Sequence, residues 1–165
     1  MTRLRAALGS EWLTTRVQIA LGLLFVAAAL PKLADPPSFA HMIYNYRILP
    51  GSFVNLLALV LPWFELLAGV ALLLGLWSRT SAALIGLLLL VFIAAISLNL
   101  FRGNAIDCGC FDVKAAGRSV AERLSDMRGD ILRDLGMLAL AAQVVFASRE
   151  KETWGSAPRR RGATK

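Results

Sequence analysis

Four long apolar runs, joined by short polar connections, constrain this chain more than any other feature. They cover about residues 16–34, 53–77, 80–101 and 131–148. A helix that crosses the hydrocarbon of a bilayer needs roughly 20 predominantly apolar residues, with all its backbone polar groups bonded inside the segment. Each run meets or approaches that length. A soluble domain of 165 residues has too little polar material to cover four helices that are apolar all round. Hydrophobic residues make up 57% of the chain and charged residues 18%, where average soluble domains have about 45–50% and about 25%. The mean hydropathy is +0.61. The expected fold is an all-α membrane protein, a four-transmembrane-helix bundle with short amphipathic helices in the outer loops.

The runs divide the chain into a cytoplasmic segment 1–15, a membrane domain 16–148 and a basic, unpatterned tail 149–165, expected to be disordered. The loops 35–52 and 102–130 share one side of the bilayer. The first run is longer than the apolar part of a signal peptide, and Pro31 follows closely on its small residues, so it reads as a span. Lysine and arginine set the orientation. With the N-terminus inside, ten of the 18 basic residues lie on the cytoplasmic side and seven outside, with Arg133 just within the fourth run. Both termini are therefore expected in the cytoplasm, with the protein multi-pass in the inner (plasma) membrane. The net charge of +7 follows from these flanking clusters. No basic stripe interleaved with stacking aromatics points to nucleic acid.

Two loops carry helical periodicity. After Asp35-Pro36-Pro37, Ser38 offers a cap, and Phe39, Met42, Ile43 and Tyr46 fall on one face. In the second loop Ser119 and Glu122 have the spacing of a capping box. Val120, Leu124, Met127 and Ile131 follow on one face. The pattern suggests two helices lying on the membrane as a lid over the bundle; plain loops are the alternative.

Chemistry concentrates at Cys108-Gly109-Cys110, the only two cysteines. Outside the cytoplasm a disulfide between them is permitted. It would close a very small ring, for which Gly109 supplies the conformational freedom. So short a loop adds little stability by chain entropy, and strained, exposed disulfides are the readily exchanged ones. The pair therefore reads as a redox site. An inert turn, or a metal or cofactor ligand pair, stays as an alternative, although the remaining ligands of an ordinary zinc site are missing. The lone histidine, His41, argues against a histidine metal cluster. Asp107 and Asp112 oppose thiolate formation, whereas Arg102, Lys114 and Arg133 favour it.

Several ionisable or polar groups stand in or near the spans. Glu65 lies mid-run, one turn after Pro62. Such a group must face the bundle interior and find a partner. Lys32 and Arg47 are the candidate cations, and Asn99, Arg133 and Asp134 lie toward the same end. Together they suggest either a polar pocket that relays protons or binds a quinone, or an ion-pair network that fixes helix register. Gly69, Gly75 and Gly86 read as helix-packing positions.

These residues carry a family resemblance. Arg16 and Lys32 bracket the first span, Tyr46-Arg47-Ile48-Leu49-Pro50 precedes the second, and Pro62-Trp63-Phe64-Glu65-Leu66 lies within it. With Asp107-Cys108-Gly109-Cys110-Phe111, they make residues 16–147 similar to the MauE branch of the MauE/DoxX-type membrane proteins. The resemblance implies a four-helix membrane fold and a part in disulfide handling or redox maturation of exported proteins. It also implies a link to the making of methylamine dehydrogenase, whose small subunit is rich in disulfides. Asp112 departs from the glycine usual after Cys-Gly-Cys-Phe in that family. Likeness to the vitamin K epoxide reductase family is one of architecture alone.

Two functions compete on these grounds. One is a membrane thiol–disulfide oxidoreductase, or an accessory to one, that meets a thioredoxin-like or disulfide-containing client through Cys108 and Cys110. The other is a non-catalytic assembly or anchor subunit of a partner complex. A solute transporter is weaker, since the spans show no internal repeat or paired broken helices.

Overall fold

A computed structural model describes residues 11–104, 106 and 119–155, with side chains as far as Ser148. Among these residues five helices follow one another: α1 (Glu11–Ala34), α2 (Pro36–Asn45), α3 (Gly51–Leu73), α4 (Ser78–Phe101) and α5 (Val120–Gly155). Four of them, all but α2, are long and apolar enough to cross a membrane. The protein is a multi-pass membrane protein of the expected class. Large apolar side chains such as Leu56, Trp63, Leu87 and Leu132 are more than half exposed on its outside, where lipid replaces water.

The packing closes a ring in which α1 meets α3, α3 meets α4, α4 meets α5 and α5 meets α1, with α1–α3 and α4–α5 the most intimate pairs. Gly22 and Gly69 explain the first of these. A Cβ added to Gly22 would stand 2.8 Å from the Gly69 carbonyl oxygen, and one added to Gly69 would stand 3.0 Å from that of Gly22. Small residues here let two backbones touch, which is how helices gain dispersion energy in lipid. Gly86 makes only an ordinary contact, 3.7 Å from Leu138 to an added Cβ. The core at this level is built from Leu21, Leu72, Ile85 and Val144.

Gly75 is no packing residue. It has φ +68° with open space around it. It ends α3 in a Schellman motif: the Leu76 N–H donates to Ala71 O at 2.9 Å and the Gly75 N–H to Leu72 O at 3.2 Å. Hence the second span stops at Leu73 rather than at residue 77. The same motif ends α4 at Gly103 (φ +69°), where Asn104 donates to Asn99 O at 3.0 Å and Gly103 to Leu100 O at 3.1 Å.

The amphipathic stretches turn out differently from each other. The first forms α2, but its cap is Asp35, not Ser38. Asp35 Oδ1 accepts from the Ser38 N–H at 3.2 Å and Oδ2 accepts from the Ser38 hydroxyl at 2.8 Å. Pro36 and Pro37 fill the first helical positions, where a missing N–H costs nothing. The face of Phe39, Met42 and Tyr46 is buried against the bundle. The second stretch is no separate surface helix. The capping box forms as expected, with the Ser119 N–H donating to Glu122 Oε2 at 2.8 Å and the Glu122 N–H to Ser119 Oγ at 3.3 Å. From there the helix runs unbroken into the fourth span. No proline interrupts it, and its face of Leu124, Met127 and Ile131 packs on Tyr46, Ile96 and Ile106. Helical backbone also extends past Ser148 to Gly155, into the stretch expected to be disordered, and α1 begins at Glu11, ahead of residue 16.

Candidate functional site

Glu65 is 4% exposed and Lys32 is 2% exposed. The Lys32 ammonium donates to Glu65 Oε1 at 2.8 Å and to Oε2 at 2.7 Å. Lys32 stands in the last turn of α1. A helical Cα–Cβ bond leans toward the helix N-terminus, so from this end of α1 the side chain leads down into the bundle. Arg47, the other candidate cation, is not brought to Glu65. It is exposed and follows the C-cap Tyr46 of α2 in a left-handed conformation, φ 50°. Its N–H donates to Tyr44 O at 3.1 Å. Arg47 thus occupies the helix-ending position where glycine is common.

Arg133 and Asp134 do reach the Lys32–Glu65 pair. With Lys32 and Glu65 they line one small cavity of about 40 Å³, whose other walls are apolar side chains that include Phe25, Phe92 and Met137. That space suffices for a water or two. Arg133 Nε and Nη2 each donate to Asp134 Oδ1 at 3.2 Å, and Nη1 lies 2.8 Å from Asp130 Oδ1. Asp130 was not anticipated from the sequence, though it stands one turn before Arg133 on the same helix, the spacing at which opposite charges meet. The buried Lys32–Glu65 pair and the part-exposed Arg133, paired with Asp134 and Asp130, therefore stand close together.

Asn99 is fully buried but makes a separate link. Its Nδ2 donates to Tyr46 O at 3.1 Å and to Ala95 O at 3.0 Å. This ties α4 to the chain between α2 and α3. Two carbonyl acceptors fix which amide atom is nitrogen. Its Oδ1 is buried with no hydrogen-bond partner.

Aromatic rings complete the Lys32 environment. The ammonium lies 5.2 Å from the Phe39 ring centroid and 5.3 Å from that of Phe92, within cation–π range. Phe39 and Phe92 also line a second cavity, of about 220 Å³, with Met42, Tyr46, Leu61 and Ala95 among its other walls. Its lining is wholly apolar. Tyr46 and Phe92 meet edge to face, 6.5 Å between centroids. Sequence reasoning missed this cavity. Phe39 and Tyr46 announce themselves by their amphipathic face, but Phe92 stands in a run where nearly every residue is apolar.

The cysteine site, Asp107, Cys108, Gly109, Cys110, Phe111 and Asp112, lies outside the described residues. Ile106, two positions before Cys108, is 7% exposed and packs with Tyr46, Ile96 and Met127. Ile106 itself is thus seated at the α2 end of the bundle.

No solved structure matches the chain. Among curated proteins it is 44% identical over 96 residues to a methylamine utilization protein MauE of Paracoccus denitrificans, covering 58% of this chain and 52% of the relative. It is 41% identical over 107 residues to a protein of the same description from Methylorubrum extorquens, covering 64% and 58%. For one from Methylophilus methylotrophus the figures are 40% over 91 residues, covering 54% and 48%. The chain spans about half the length of these relatives. A family model described as methylamine utilisation protein MauE matches residues 10–147. With most of its length matched by that model, the chain belongs to the MauE family.

Proposed function

We propose that the protein takes part in thiol–disulfide exchange during the maturation of exported proteins, with Cys108 and Cys110 as the exchanging pair. The observation that carries this reading is the spacing of the chain's only two cysteines, with one glycine between them. A thiolate of a client attacks one sulfur of the Cys108–Cys110 disulfide and forms a mixed disulfide, and the other cysteine leaves as thiolate. The client's second thiolate then resolves it. The client gains a disulfide and the pair becomes a dithiol, with two electrons and two protons transferred. The client is a thioredoxin-like or disulfide-containing exported protein. By analogy with the relatives' description, its process is methylamine utilisation.

In this reading Asp107, Gly109, Phe111 and Asp112 shape the turn, and the pair faces outward from the inner membrane with both termini in the cytoplasm. Lys32, Glu65 and Asp134 form a buried polar centre, with the part-exposed Arg133 beside it. Thiol trapping in intact cells tests the reading. The pair is expected to be partly oxidised, and Cys110→Ser or Cys108→Ser should accumulate a mixed disulfide. A pair that stays wholly reduced, or full function in both variants, would replace this reading with a non-catalytic assembly subunit.

A further inference from the structure

The half-open cavity of about 220 Å³ among α2, α3 and α4 is a groove, and its lining is wholly apolar. An apolar cavity of about 150 Å³ holds benzene, so this one takes a slender hydrocarbon segment. It is too small for a transmembrane helix, which with its side chains is about 10 Å across. Among the described residues Ala95 is its only small lining residue, whereas helix contacts in lipid favour several. Along α4 the lining runs from Leu88, near the middle of that span, to Ala95, a rise of about 10 Å. The groove therefore belongs to one leaflet, whose hydrocarbon is about 15 Å deep.

Two cations stand at the end of the groove nearer the membrane surface. Arg47 lies between Tyr46 and Ile48, which both line it. Arg102 caps α4 seven residues after Ala95, so it falls on the same helix face two turns further on. The Asn99 side chain places both arginines at one end of the bundle. Asn99 sits one turn before Arg102 and donates to the carbonyl of Tyr46, the residue before Arg47. Both arginines are exposed, and neither makes an ion pair among the described residues. Arg47 also holds its left-handed backbone, φ 50°, where glycine would sit without strain. Strain of this kind marks positions whose side chain has a task.

We propose that this groove seats one acyl chain of an anionic phospholipid, with Arg47 and Arg102 binding its head group. The walls match the chain and the rim matches the charge. Guanidinium forks pair with phosphate oxygens in bidentate fashion, and each cation near a membrane surface favours an anionic lipid by about fivefold. A zwitterionic lipid brings the same phosphate together with an ammonium that the two arginines repel. The seated chain covers Phe39 and Phe92, whose rings flank the Lys32 ammonium, and so keeps water from the buried ion pair on that side. The site is independent of the cysteine chemistry.

Native mass spectrometry of the full chain tests this, with the protein released from micelles holding equal amounts of phosphatidylglycerol and phosphatidylcholine of the same acyl chains. The parent should retain phosphatidylglycerol over phosphatidylcholine by about tenfold or more, given two cations at about fivefold each. Arg47→Gln with Arg102→Gln alters exposed side chains only and should leave the two lipids nearly equal. Ala95→Phe on α4 and Leu61→Trp on α3 each fill the groove from a different wall, and each should remove retained lipid while circular dichroism shows the helices intact. Equal retention of the two lipids by the parent would overturn the proposal, since the groove then takes any acyl chain. An undiminished preference in the double arginine variant would do the same, as would parent-like binding in both filled variants. A parent dimer that carries no lipid and is broken by Ala95→Phe would put a second copy of this chain in the groove instead.

Discussion

The Lys32 ammonium lies within hydrogen-bond distance of both carboxylate oxygens of Glu65, at 2.8 and 2.7 Å, and both side chains are buried. It joins the end of α1 to the middle of α3. Removing one partner of such a pair leaves an uncompensated charge, at a cost of about 3–5 kcal/mol. Lys32→Met and Glu65→Leu are each expected to lower stability by that order, and the double variant by much less. Unfolding in mixed micelles, arranged as a double-mutant cycle, measures the difference; additive single effects would contradict the pairing.

Arg47 makes the opposite case. Its guanidinium is exposed and its backbone is left-handed, a conformation costing a side-chain-bearing residue about 1–2 kcal/mol. Arg47→Gly should be neutral or stabilising by up to about 1 kcal/mol in the same unfolding assay. A loss comparable to Lys32→Met would mean that Arg47 serves the buried charge cluster after all.

Gly22 and Gly86 separate close packing from ordinary contact. An alanine at Gly22 would place Cβ 2.7 Å from Leu73 Cγ and 2.8 Å from the Gly69 carbonyl oxygen. The helices must move apart, and overpacking of this kind costs about 1–3 kcal/mol. Gly86→Ala meets its nearest neighbour at 3.7 Å and should cost nothing measurable. Equal destabilisation by the two changes would rule out the α1–α3 contact as described.

Asn99 links α4 to the Tyr46 carbonyl. Asn99→Leu removes the donor and leaves that carbonyl without this bond, at about 1–3 kcal/mol. Hydrogen exchange should rise locally at residues 46–50, ahead of any global effect. Exchange that rises evenly over all helices would argue against a local tie.

Orientation is open to labelling. In a background lacking Cys108 and Cys110, a cysteine at Ser125 is expected to react with a membrane-impermeant maleimide added to intact cells. One at Thr80, at the opposite end of the bundle, should react only after lysis. The reverse pattern would place both termini outside.

Local signals in the chain determined much of this structure. The spans follow from hydropathy, because a backbone in lipid must bond to itself. The Ser119–Glu122 box and the apolar faces of α2 and early α5 follow from spacing, since caps and helical periodicity involve residues three or four apart. A buried partner for Glu65 was required by the same reasoning. Which cation would fill that place was decided by tertiary structure alone. Lys32 and Arg47 both lie before α3 in sequence, but the packing of α1 on α3, with Gly22 against Gly69 at its closest point, sets a register that brings Lys32 to Glu65. The aromatic pair around the ammonium and the apolar cavity behind it have the same origin. Phe39 and Phe92 stand 53 positions apart, and no local pattern distinguishes a ring that faces a lysine from one that faces lipid.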